Sequence, residues 1–134
     1  MSGTPQYAAP PAPPAPRHTV VLVRDLMFSS RIAATARAAD VPITLHRDPS
    51  QLASAPAAAD RLIVDLNLPG AIDAAALWKQ SSPSRHVTGF VSHVDADTIA
   101  RARAAGIDQV LPRSRFVETL PDLLTGPWPA RTPH

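Results

Sequence analysis

The sequence predicts a doubly wound α/β domain, a five-stranded parallel sheet with helices on both faces, three layers in all. Three observations carry this. Short apolar runs recur along residues 19–125, each followed by a helix-compatible stretch. The strongest run, Thr19-Val20-Val21-Leu22-Val23, is continuous rather than alternating, as expected for a strand buried on both faces. Five such strand–helix units in succession require right-handed crossovers and therefore parallel strands.

The elements follow in order. Residues 19–23 form the first strand. Ser29-Ser30 can cap a helix reaching Ala39, with Ile32, Ala36 and Ala39 as its inward stripe. Residues 43–46 form a short second strand, and Asp48-Pro49-Ser50 opens a short helix over about 49–56. Arg61-Leu62-Ile63-Val64-Asp65 is the third strand and ends in a carboxylate. A third helix spans 72–79, with Asp73 suiting its positive amino end. Residues 87–92 form the fourth strand. Residues 95–105 form a helix that Gly106 stops. A fifth strand covers 109–111, and a last helix 114–124 contains Pro121, which is expected to bend or shorten it.

Composition bounds the rest. The chain has 134 residues, enough for one domain. It lacks cysteine, which excludes a disulfide scaffold, a thiolate metal site and a cysteine nucleophile. No apolar run approaches the roughly 20 residues of a membrane span, and no secretory signal is visible, so a cytoplasmic location is expected. Six of the sixteen prolines fall in the first 16 residues, and the last nine residues, 126–134, are also proline-rich. Residues 1–18 and 126–134 are therefore expected to be tails flanking a domain at 19–125. The amino-terminal stretch is an extended linker or a proline-rich ligand for a groove-type domain. The net charge of +2 vanishes when Arg17 and Arg131 are set aside, so no nucleic-acid partner is expected.

In such sheets ligands sit at the carboxyl ends of the strands. The residues there are Arg24 and Asp25, Asp65, Ser92 and His93, and Arg113. Their arrangement resembles the receiver domains of two-component response regulators, a flavodoxin-like fold. Val23-Arg24-Asp25 lies where that family has an apolar residue and an acidic pair. Asp65-Leu66-Asn67-Leu68-Pro69-Gly70 is similar to its phosphoacceptor motif. Ser92 takes the place of its Ser/Thr after strand four, and Ala104-Ala105-Gly106-Ile107-Asp108 resembles its stretch before strand five. The likeness covers nearly all of 19–125.

The resemblance implies that Asp65 is the phosphoacceptor, that Asp25, Asp65 and the Asn67 carbonyl are ligands for Mg²⁺, and that Ser92 and Arg113 contact the phosphoryl group. Three departures set this chain apart. Arg24 replaces one carboxylate of the acidic pair. At ~6 Å and an effective dielectric of ~40, that swap of two charge units opposes a dication by roughly 5 kcal/mol, more than the about 4 kcal/mol that holds an ion at millimolar affinity. Unless it turns outward, Arg24 would weaken the metal site or pair with Asp65. Arg113 stands where the family has Lys, preceded by Pro112 and followed by Ser114, and a guanidinium fork is not a point charge. Val110 stands where strand five usually carries the aromatic that swings inward on activation.

These departures predict a pseudo-receiver: the fold and a partner face without the metal-dependent switch. The face would lie on the last two helices and the fifth strand, with Arg101, Arg103, Arg115 and Phe116. The chain would act through another signalling or scaffold protein, such as a histidine kinase, rather than as an enzyme; the sequence leaves its oligomeric state open. The alternative is a working Mg²⁺-dependent phosphoacceptor at Asp65. A small hydrolase or cofactor-binding enzyme is the third reading. It is opposed by the absence of a G-x-S-x-G elbow, a P-loop, a G-x-G-x-x-G stretch and metal-ligand histidine spacing. Met27, Phe28 and Trp78 are expected to pack rather than to bind.

Overall fold

A computed structural model describes residues 18–82, 84–93 and 95–126. The expected tails fall outside these residues except at their inner ends. His18 already belongs to the first strand, and Gly126 caps the last helix. The elements run β1 (His18–Leu22), α1 (Leu26–Ala38), β2 (Ile43–His46), a 3-10 helix (Pro49–Ser54), β3 (Ala59–Asp65), α2 (Ala71–Gln80), β4 (His86–Val91), α3 (Ala96–Ala104), β5 (Gln109–Pro112) and α4 (Arg113–Thr125). The sheet is fully parallel in the order β2-β1-β3-β4-β5. The predicted class and strand set stand.

Each face of the sheet has its own core. Val20, Leu22, Leu62, Val64 and Val87 point toward the 3-10 helix, α2 and α3, where they meet Leu52, Ala75, Trp78 and Ala102. Val21, Val23, Ile63 and Phe90 point the other way, toward α1 and α4, and meet Phe28, Ile32, Phe116 and Leu120. Neighbours along β1 and β3 alternate between the two, the period-2 rule applied to strands covered on both sides. That is why the runs read as continuously apolar.

Local chemistry sets the element ends, and three expectations change. The cap of α1 is Asp25, not Ser29 or Ser30: its Oδ1 accepts the Phe28 N–H at 3.0 Å, and the helix starts about one turn early, at Leu26. Ser29 is buried inside the helix and donates its hydroxyl to the Leu26 carbonyl. The short helix expected after β2 is a six-residue 3-10 helix that ends at Ser54 rather than near residue 56, closed at its start by a capping box between Asp48 and Gln51. Helix α4 runs from Arg113 through Pro121 to Thr125, so Pro121 does not shorten it. Gly106 ends α3 region geometry as expected, with φ of +91° in the left-handed range.

Two buried charges tie the layers together. Arg61 on β3 is 2% exposed and donates to the carbonyls of Leu123 (3.0 Å) and Gly126 (2.8 Å) at the carboxyl end of α4. Asp108 accepts from Lys79 Nζ at 2.6 Å and from the Val87 N–H at 2.8 Å, joining α2 to the starts of β4 and β5.

Candidate functional site

Asp65 is the last residue of β3 and is half-buried. The loop behind it is anchored by the buried side chains of Leu66 and Leu68 and by the Leu66 N–H, which donates to the Phe90 carbonyl at 2.9 Å. Oδ1 of Asp65 accepts the Asn67 N–H at 3.0 Å. The Asn67 side chain reaches across to the next loop, where its Oδ1 accepts the N–H of Ser92 (2.6 Å) and of His93 (3.2 Å). One amide thus locks the loop after β3 to the loop after β4.

The strand order brings Asp25, Asp65, Asn67, Ser92, His93 and Arg113 to one end of the sheet, as the sequence predicts. Burial raises the pKa of Asp65, and the nearby Asp25 carboxylate raises it further. The Asn67 N–H and the charges of Arg113 and His93 oppose this, but burial is the largest influence.

Arg24 turns out of the site. Its Nε donates to the Arg47 carbonyl at 3.4 Å and its guanidinium lies 3.8 Å from Asp48, with the side chain 54% exposed. The expected pairing with Asp65 does not occur. Strand register explains it: Leu22 pairs with His46, so the chain two residues further on sets Arg24 beside Asp48. The full charge penalty assigned to Arg24 is accordingly overstated. Arg113 is exposed, and its guanidinium rests 4.2 Å from the centroid of the Phe28 ring. No direct ion pair joins it to Asp65 among the described residues.

A divalent cation needs several hard oxygen donors converging on one point. Asp25 and Asp65 are hard oxygen donors of the right kind, but one Asp25 oxygen is engaged in capping α1. No three His, Cys, Asp or Glu side chains come together as a metal cluster among the described residues. The residues present fall one carboxylate short of a tight site.

On the expected partner face, Arg101, Arg103 and Arg115 are exposed. Arg115 lies 3.6 Å from Glu118 one turn on. Phe116 is a correction: it is fully buried, stacked on Phe90 at 4.6 Å between centroids and tilted against Phe28 at 5.7 Å. The inward positions of α4 are Phe116, Leu120, Leu123 and Leu124, and that spacing was the signal in the sequence. Met27 is also corrected, being 85% exposed, whereas Phe28 and Trp78 are buried. The cleft beside the Asp65 loop is small and polar, about 260 Å³, with Asp73, Asp95 and Arg101 in its walls.

With this geometry in hand, the fold can be compared with known structures. The chain is similar to the chemotaxis response regulator CheY4 of Vibrio cholerae, with 17% identity, a TM-score of 0.69, and coverage of 81% of this chain and 95% of that one. It is similar to the phosphorylated cyanobacterial phytochrome response regulator RcpA, with 16% identity, a TM-score of 0.68, and coverage of 81% and 91%. The non-phosphorylated HemR receiver domain from Leptospira biflexa gives 16% identity, a TM-score of 0.68, and coverage of 84% and 98%. No family model and no curated protein matches the sequence. The chain has the receiver-domain, CheY-like fold.

Proposed function

We propose that this chain is a receiver-like signalling module that works by protein–protein contact and whose phosphorylation site is degenerate. One observation carries the reading: no carboxylate stands at position 24, where Arg24 turns out to Asp48, so a metal would find only Asp25 and Asp65, with one Asp25 oxygen engaged in capping α1. At ~6 Å and an effective dielectric of ~40, one carboxylate contributes about 3 kcal/mol to holding a dication. That is most of the about 4 kcal/mol behind millimolar affinity. The burial that raises the Asp65 pKa works in the same direction, since it disfavours the anion a cation would need. On strand five, Val110 offers no ring to report the state of the site. The exposed arginines of α3 and α4 are the surface offered to a partner, a second signalling or scaffold protein.

A second reading, a working phosphoacceptor, is supported by the same outward turn of Arg24. Asp65 has an acidic neighbour, Asp25, and a cation, Arg113, close enough to act on it. Intact-mass measurement after incubation with acetyl phosphate and Mg²⁺ separates the two. The degenerate site gives no phosphoryl adduct at millimolar Mg²⁺, and Arg24→Asp gains one that Asp65→Asn abolishes. A ready adduct on the unaltered chain supports the second reading.

A further inference from the structure

The sheet face that carries α2 has an apolar groove that no element of the described chain fills. It has a volume of about 580 Å³ and runs between the 3-10 helix and α2. Leu52, Ala55 and Ala57 form one wall, and Ala74, Leu77 and Trp78 form the other. Leu77 is 69% exposed there, an apolar side chain on a helix with no partner across from it. Trp78 supplies an aromatic wall whose ring is held by the Arg85 guanidinium at 4.5 Å. The indole Nε1–H of Trp78 is buried and has no hydrogen-bond partner. A buried donor without an acceptor is uncommon in a completed structure.

An apolar groove with an aromatic side chain in its wall suits a polyproline II segment. Such a segment has its backbone carbonyls turned outward and arrives with little conformational entropy to lose. This chain carries one. Residues 8–16 read AAPPAPPAP, with no charge and nothing larger than proline. The register shows that it lies within reach. His18 pairs with Ala59 at the start of β3, and Ala57, two residues earlier, lines the groove. Only Arg17 separates Pro16 from His18. The groove extends along α2 over residues 74–81, about 10 Å at the helical rise. Nine residues of polyproline II span about 28 Å, so the segment can double back from the amino end of β1 and still cover the groove.

We infer that residues 8–16 of this chain dock as a polyproline II strand in the groove between the 3-10 helix and α2, against Leu77 and Trp78. The site takes an uncharged Pro/Ala segment, and none of Asp25, Asp65, Asn67, Ser92 and Arg113 lines it. It does not depend on whether Asp65 is phosphorylated.

The absence of cysteine makes the test direct. A nitroxide placed on Ala12→Cys in the full-length, isotope-labelled chain should broaden the amide signals of Ala55, Ala57 and Leu77, and reducing the label should restore them. Leu77→Glu changes an exposed residue, so the fold is retained; it should abolish the broadening, as should replacing Pro10, Pro11, Pro13 and Pro14 together by Gly. Groove signals that keep full intensity beside the oxidised label would overturn the inference. So would broadening confined to another surface. Broadening of an unlabelled, isotope-enriched chain by a labelled second copy, with none within one chain, would also overturn it and assign the groove to a neighbouring molecule.

Discussion

The two faces of the sheet close in different ways. Between the sheet and the α1/α4 layer, three phenylalanines fill the interior: Phe28 lies 5.1 Å from Phe90 and 5.7 Å from Phe116, and Phe90 stacks on Phe116 at 4.6 Å. The opposite layer relies on alanine at Ala53, Ala55, Ala57 and Ala74, and there a groove stays open. Aromatics are 4% of the chain, and every phenylalanine is spent on one side. The difference teaches where an alanine-rich protein puts its stability and where it leaves room. Ring packing secures the side that also carries Arg113, which sits on Phe28, and small side chains leave the other side accessible.

This contrast can be broken from either side. The largest effect is expected from Phe116→Ala, which removes the centre of the aromatic cluster. It should cost about 3–5 kcal/mol in urea unfolding. A loss under about 1 kcal/mol would mean that the cluster is not what closes that face. Gly89→Ala probes the tight part of the opposite face. A Cβ at Gly89 would come within 2.6 Å of the Leu66 side chain, all of whose branch atoms crowd the position. Overpacking of this kind costs about 1–3 kcal/mol. Because Leu66 is next to Asp65, amide shifts should change at Asp65 and Asn67 as well.

Asp65→Asn should act in the other direction. Burial raises the folded-state pKa of Asp65 above its unfolded value, so folding disfavours the carboxylate. That cost is present at neutral pH and disappears as pH falls through the folded pKa. Asn can still accept the Asn67 N–H. The variant should therefore show a higher Tm than the unaltered chain at pH 7, and the difference should vanish below pH ~4, near the unfolded carboxylate value. A difference that persists in acid would assign the effect to packing. The smallest effect is expected at the open groove, where Leu77→Ser should leave unfolding free energy within about 0.5 kcal/mol. A large loss there would mean that Leu77 is packed in solution.

Most of the fold was legible because the strands are buried on both faces and their apolar runs are unbroken; each lies within a residue or two of its expected place. The element ends were less so. Ser29 and Ser30 read as caps by residue type, yet Asp25 sits one residue-turn earlier and a carboxylate accepts the N–H at least as well. The site residues converge as the strand-end rule demands, because that rule depends only on topology. The direction of Arg24 was not legible from its own neighbourhood in sequence. It is set by the parallel register of β1 with β2, which brings Asp48 alongside from 24 residues away. Phe116 illustrates the opposite error. The partner face implied by the resemblance put it at the surface, while its spacing with Leu120, Leu123 and Leu124 already marked it as core.

The most direct measurement is the binding of Mg²⁺ to the full chain, read by amide shifts of Asp25, Asp65 and Asn67 during titration, for the unaltered protein and for Arg24→Asp. With one carboxylate missing, the unaltered chain should not approach saturation at millimolar Mg²⁺. Arg24→Asp should tighten binding by about 100-fold, the equivalent of about 3 kcal/mol. Saturation of the unaltered site at millimolar Mg²⁺, with little gain in the variant, would contradict the account.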